Sequence, residues 1–410
     1  MLTMQRDILI IGCGIFGAAI GWALGRRGLG HRVLIVDRQA PACGSTSRAA
    51  GLVTQVRSDP TLQALAGETL AAIHVLEASL GQDVGCHRVG ALHIGPLAQQ
   101  EALDHMLTVC TSAGIRGQWQ DKAQVMTQSP WLNPNAFDIA AFFRDECYVD
   151  PYLLSSAYLR GALQMGAKMR LDTRVAHIAH QAGAVTGVAL EDGTVLPAHV
   201  VVNAAGAWSN MLSVELGLPL PMAPVRSQYW ITERAPELSP PGPIVFITDI
   251  RAYARPEVGA LLFGIRENAP AVAAPQDLPE NLQGFVFDAS DPDGWSNLAQ
   301  AFDPLIRYFP AMERLGIAHY ITGPSNYTPD GQPIVGASGT IAGLLVATGC
   351  NGSGITYSGG VGRLIAELIC GETPFVDASR LNPARALHTD PFSPAFLQTC
   401  AHARATKSTG

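Results

Sequence analysis

Gly12-Cys13-Gly14-Ile15-Phe16-Gly17 follows a short apolar run at 7–11 and opens a second apolar stretch that extends to about residue 27. A G-x-G-x-x-G pattern alone is weak, because glycines gather in many turns. Its context makes it specific. Residues 7–11 read as a buried parallel strand, 15–27 as a helix ending near Gly28 and Gly30, and 31–37 as a second buried strand ending in Asp37. That is one βαβ unit with a dinucleotide fingerprint. Gly12 allows the tight turn, Gly14 lets a pyrophosphate approach the backbone, and Gly17 packs helix on strand. The helix N-terminus then faces the phosphates, and Asp37 accepts from the adenosine ribose. The competing reading is an ordinary structural βα turn.

The same apolar stretch invites a signal-peptide or membrane reading. Asp7 precedes it, and Gly12, Gly14, Gly17 and Gly21 interrupt it. A signal peptide wants a positive start, and a spanning helix wants about 20 apolar residues, so strand–turn–helix fits better. No transmembrane segment is expected.

The chain has 410 residues, 48% hydrophobic and 15% charged, which suits two domains with large cores. A net charge of −7 without a basic run argues against nucleic acid. Lys122, Lys168 and Lys407 are the only lysines, so arginine, backbone N–H groups or helix ends must hold any anion. The eight cysteines form no C-x-x-C pair and show no regular spacing. Neither a disulfide framework nor a metal site is indicated, and a reducing, cytoplasmic compartment is expected.

Helices are expected near 62–80, 151–166 and 361–369. One strand is expected across 168–178, a hairpin over 185–196 with its turn at 191–193, and further strands at 200–203, 226–232, 244–247, 260–264 and 344–348. Residues 269–280 read as a loop. The tail from Asp377 onward reads as irregular and poorly ordered.

Four separated motifs carry a family resemblance. They are 12–17 with Asp37, the hydroxyl-rich loop at 44–52, Val201-Val202-Asn203-Ala204-Ala205-Gly206-Ala207-Trp208, and a C-terminal block. The block runs Gly323-Pro324-Ser325-Asn326-Tyr327-Thr328-Pro329-Asp330-Gly331, then Ala347-Thr348-Gly349-Cys350-Asn351-Gly352-Ser353-Gly354-Ile355. In this order they resemble the D-amino-acid oxidase superfamily of flavoproteins, the glycine oxidase and sarcosine oxidase group. The segments at 81–90, 224–229 and 253–255 are most similar to its dimethylglycine and sarcosine dehydrogenase branch.

The resemblance implies an α/β fold. A Rossmann-like FAD-binding domain would be assembled from 1–80, 146–220 and 321–380. A substrate domain with a mainly antiparallel sheet would come from 81–145 and 221–320, leaving 381–410 as a tail. It implies FAD contacts at Gly12, Gly14, Gly17, Asp37, Arg38, Ser45, Thr46 and Ala50. Further contacts are implied at Val175, Gly206, Trp208, Gly331, Gly352, Ser353, Gly354 and Ile355. Residues 352–354, opening a helix, would set backbone N–H groups against the flavin's pyrimidine side.

Departures from the family pattern refine these expectations. Arg48 stands where the branch often carries a flavin-linking histidine, and no cysteine precedes the 328–331 segment, so the FAD is expected to be non-covalent. Ser227 replaces a common active-site histidine, and Ser325 replaces a carboxylate-binding arginine of glycine oxidase-like members. No lysine lies in a flavin motif, which points to slow reaction with oxygen. The large branch members carry a folate-binding half, and none is expected here.

The substrate contacts singled out are Tyr253, Arg48 and Ser227; Arg255 reads better as a strand salt bridge. The expected reaction is FAD-dependent oxidation of the C–N bond of a small amine or amino acid, N-methylated, secondary or of D configuration. The imine formed then hydrolyses. The electron acceptor would be oxygen, a quinone or an electron-transfer protein. Rival readings are a flavin dehydrogenase of 2-hydroxy acids and a flavin-carrying subunit of a larger complex.

Overall fold

The computed structural model describes residues 7–238, 241–386 and 388–407. The strands Ile8–Ile11 and Val33–Val36 pair parallel on either side of the helix Ile15–Gly25. Val200–Asn203 joins the other edge of Ile8–Ile11, and Leu344–Thr348 lies beyond it, both parallel. Lys168–Arg170 and the antiparallel strand Ile334–Ala337 complete a six-stranded sheet. The central strands are continuous apolar runs because both faces are covered.

Alternation divides those runs between two cores. Ile8 and Ile10 pack with the helices Ile15–Gly25, Pro60–Leu80, Pro151–Gln164 and Gly354–Cys370. Leu9 and Ile11 face the opposite way, onto the three-stranded antiparallel sheet of Val175–Gln181, Ala184–Leu190 and Val195–Pro197. The helix Gly354–Cys370 begins at the glycine cluster, as the family resemblance implies, seven residues before the start that the apolar pattern alone gives. Glycine is a poor helix former, yet here it lets backbones meet. A Cβ at Gly360 would lie 2.5 Å from Leu65 Cα, and one at Gly362 2.7 Å from Ala19 O.

The second large sheet has eight strands. In order they are Ile317–Tyr327, Ala223–Thr232, Ala260–Ile265, Ala252–Glu257, Ile244–Ile247, Ala91–Gly95, Ile139–Phe143 and Gly117–Trp119. All its pairings are antiparallel except that of Ile244–Ile247 with Ala91–Gly95. Trp230, Phe263, Tyr308 and Phe309 fill its core under the helix Trp295–Tyr308. The strand Ile317–Tyr327 crosses the expected segment boundary at 320–321.

Two expectations need correction. The strand expected across 168–178 is two strands in different sheets, because Asp172 turns the chain with φ of 50°. The tail is not structureless: Pro394–Thr406 is a helix. Ser393 caps it by accepting from Phe396 N, and Pro394 starts it with a φ already suited to the first turn. Cys400 and Ala401 bury against Ala223, Val225 and Tyr327 of the eight-stranded sheet. Besides Arg404, its buried residues are the small Cys400, Ala401 and Ala405, so no strong apolar stripe marks it in the sequence.

Candidate active site

The parallel strands end at a cavity of about 630 Å³. Ile11, Val36, Ala204 and Thr348, at the carboxyl ends of four of them, all face it, the usual place for a ligand in an open α/β sheet. Gly12 has φ of +105°, and a Cβ there would sit 2.4 Å from Ala204 O. A Cβ at Gly17 would meet Gly12 O at 1.9 Å, so this residue closes helix on turn and does not line the cavity. Gly14 differs: the nearest atom to a Cβ there is Thr46 Oγ1 at 3.4 Å. Its open side is the cavity itself.

Asp37 closes the turn. Its Oδ2 accepts from Cys13 N at 2.7 Å and its Oδ1 from Gln39 N at 2.9 Å. Burial pushes this carboxyl above its ordinary range, against those two bonds. Beside it, the Arg38 guanidinium lies 4.2 Å from the Trp208 ring centre. The hydroxyl-rich loop is clamped to the fingerprint. Ile15 N donates to Thr46 Oγ1 at 3.1 Å, and Ser45 Oγ donates to Pro324 O. Ala50 O accepts from Arg255 Nη2 at 3.0 Å. Val175 and Gly206 complete this end of the wall.

A second helix N-terminus opens on the same cavity. Gly352, with φ of +74°, turns beneath Tyr327, whose hydroxyl would lie 2.3 Å from a Cβ there. Ser353 occupies the N-cap of Gly354–Cys370 without a side-chain capping bond. Gly352, Ser353, Gly354 and Ile355 all line the cavity. Gly331 does not; it closes a turn onto Thr328 O, next to Asp330, which pairs with Arg385. The implied FAD contact at Gly331 is therefore a turn residue outside the wall.

Tyr253, Ser227 and Arg48 all reach the cavity. Tyr253 is seated by a small cross-strand partner: a Cβ at Gly264 would meet its ring at 2.4 Å. Arg48 is more committed than expected. It donates to Leu282 O at 2.7 Å, Cys43 O at 3.1 Å and Gly44 O at 3.2 Å, which ties two loops together. Arg255 lies outside the cavity wall, paired with Glu257 and placed over the Tyr148 ring.

Sequence reasoning missed the cations at the far end. Arg57, Arg251, Arg266, Arg404 and Lys407 line the cavity there. Lys407 Nζ donates to Asn351 O at 2.8 Å and Ser353 Oγ at 3.0 Å, at the mouth of the second helix. Burial and the neighbouring Arg57, Arg266 and Arg404 hold its pKa well below that of an ordinary lysine. Arg266 is depressed to about 10 by burial, Arg404 and Arg251. Behind Arg57, Glu146 is fully enclosed and accepts from Gln55 N, and burial pushes it up to about 8. A lysine thus lies in the cavity although none lies in a flavin motif.

The profile of the FAD dependent oxidoreductase family, DAO, matches residues 7–368. The chain belongs to that family. It is 28% identical to mitochondrial dimethylglycine dehydrogenase of Mus musculus over 93% of this chain and 44% of the relative. It thus spans less than half the length of that relative. Glycine oxidase from Geobacillus kaustophilus is 25% identical, with a TM-score of 0.77 over 94% of this chain and all of that one. L-proline dehydrogenase from P. horikoshii shares the fold with a TM-score of 0.82 at 21% identity, covering 94% and 98%.

The residues present fit the family's cofactor. The open side of Gly14, the Asp37 carboxylate and the uncapped start of Gly354–Cys370 suit pyrophosphate, ribose and the pyrimidine edge of a flavin. Gly12, Arg38, Thr46, Trp208 and Ser353 would hold FAD along that line.

Proposed function

We propose that this protein oxidises the C–N bond of a small amino acid with non-covalent FAD. One cavity running from the Gly12–Gly14 turn to Tyr253, Ser227 and the cation cluster carries the reading, because it joins a nucleotide site to a polar substrate end. Mouse dimethylglycine dehydrogenase and the bacterial glycine oxidase are named for redox chemistry on small amino acids, which supports it.

Bound FAD supplies the two-electron acceptor. The chain's own residues set the conditions. The substrate amine must be neutral to give up its lone pair to a C=N bond, and a cluster of cations disfavours an ammonium beside it. The Tyr253 ring, seated against Gly264, shapes one wall. The imine product hydrolyses.

Acid precipitation tests the attachment. FAD is expected to pass into the supernatant, since Arg48 offers no bond-forming atom where relatives carry histidine. Flavin retained by the precipitated chain would refute this. Anaerobic mixing with a panel of amino acids then tests the reaction through bleaching of the flavin absorbance.

Oxygen is the proposed electron acceptor. A fixed positive charge stabilises the superoxide formed in the first electron transfer, and the Arg266 guanidinium lines the same cavity as the flavin-binding elements. In stopped-flow mixing of reduced enzyme with air-saturated buffer, reoxidation should keep pace with turnover. Reoxidation much slower than turnover, rescued by a dye, would make the protein a dehydrogenase. A cytoplasmic location is proposed from the cysteine pattern. Among the described residues, no helix is long and apolar enough to cross a membrane.

A further inference from the structure

The carboxylates that line the cavity, among the described residues, are Asp37, Glu191, Glu215 and Glu280. All four belong to the nucleotide end. Asp37 closes the glycine turn, Glu191 and Glu280 pair with Arg174, and Glu215 pairs with His177. The opposite end is lined by Arg266, Arg404 and Lys407. The carboxylates of the nucleotide end have partners there, whereas no carboxylate among the described residues lines the end that holds these three cations.

Arg404 is the informative member. It is 7% exposed, yet it lines the cavity, and its Nε is a buried donor with no acceptor. Its guanidinium lies 5.6 Å from the centre of the Tyr327 ring, which holds it in place without neutralising it. A buried guanidinium with an unmade hydrogen bond is costly, and a carboxylate is the acceptor whose geometry matches it. The segment that carries it is fixed. Arg251 Nη1 donates to Ala405 O at 2.6 Å, and Lys407 Nζ reaches the start of Gly354–Cys370. Glu267 does not face this cluster; it is engaged with Arg226.

We propose that Arg404, with Arg266 and Lys407, forms a subsite for the substrate's carboxylate, built by the helix Pro394–Thr406. The substrate is then an amino acid rather than a simple amine. This rests on the C–N oxidation reading given above. It also accounts for Ser325, where similar proteins have a carboxylate-binding arginine: the guanidinium reaches the site from the C-terminal helix instead.

The test uses FAD-loaded protein and two readouts. Acetate, succinate and neutral acetamide are titrated while the flavin absorbance is followed. Both carboxylates should perturb the spectrum, and acetamide should not. Arg404→Gln should weaken carboxylate binding about tenfold or more, as expected for losing a hydrogen bond between charged groups. Lys407→Met, at the end of the helix, should weaken it as well, and Arg404→Lys should restore part of it. FAD content and melting temperature report whether each variant is folded. The KM for an N-methylated amino acid should rise at least about tenfold more in Arg404→Gln than that for the corresponding amine without a carboxylate. Unaltered carboxylate affinity in folded Arg404→Gln and Lys407→Met would overturn the subsite, as would equal binding of acetamide. Carboxylate binding that depends on Arg404, without bleaching by any amine, would keep the subsite and sink the oxidation reading instead.

Discussion

Gly14→Val is expected to give a folded chain that has lost nearly all of its FAD. The position is open on the cavity side, with Thr46 Oγ1 at 3.4 Å as the nearest atom to a Cβ, so the apo fold can accept a side chain. The ligand cannot. Two methyl groups would occupy the space a pyrophosphate needs against the backbone at the start of Ile15–Gly25. The expected loss of affinity is at least about a hundredfold, on the order of 3 kcal/mol. Absorbance at the flavin band against protein content measures it, and circular dichroism checks the fold. Gly17→Val should behave differently: its Cβ would strike Gly12 O at 1.9 Å, so it is expected to fail in folding before binding. Normal flavin content in Gly14→Val would remove the basis for placing the phosphates there.

Glu267→Ala is expected to produce the largest loss of stability. Arg226 and Glu267 form a salt bridge whose side chains are 8% and 1% exposed, with Arg226 Nε donating to Glu267 Oε1 at 3.0 Å. Removing the carboxylate leaves a guanidinium buried in the eight-stranded sheet without its counter-charge. Such losses cost about 3–5 kcal/mol, more than truncating most surface pairs. The cost is one of orphaning, not of the pair's own strength. Accordingly, the double variant Arg226→Met with Glu267→Leu should recover most of it. Thermal unfolding of the three proteins reads this directly. A double variant no more stable than Glu267→Ala would mean that the pair contributes specific structure that apolar packing cannot replace.

Much of the nucleotide half was legible because its signals are local. The turn at 12–17 works through the backbone conformation of single glycines, and the strands around it through unbroken apolar runs. Both can be read within a window of ten residues. Arg38, Ser45, Thr46 and Ala50 follow at short range and line the cavity. Gly331 did not, because its positive φ of 70° serves a turn that the surrounding chain carries away from the wall. The sequence pattern of such a turn is the same whether or not a ligand lies beside it.

The substrate half was less legible. Tyr253 was found by likeness to relatives, but its seating depends on Gly264, eleven residues away and opposite it only through strand register. The helix Pro394–Thr406 gave almost no signal, since alanine and cysteine make up most of what it buries. Nothing near Lys407 in the chain announces a ligand site. The amino-acid sequence decided the βαβ unit, the dinucleotide turn and the family, all of which rest on short-range sterics and hydrophobic period. Only the tertiary structure decided that Arg266 meets Arg404 and Lys407, because a charge so distant in the chain joins their field only when packing brings all three into one cavity.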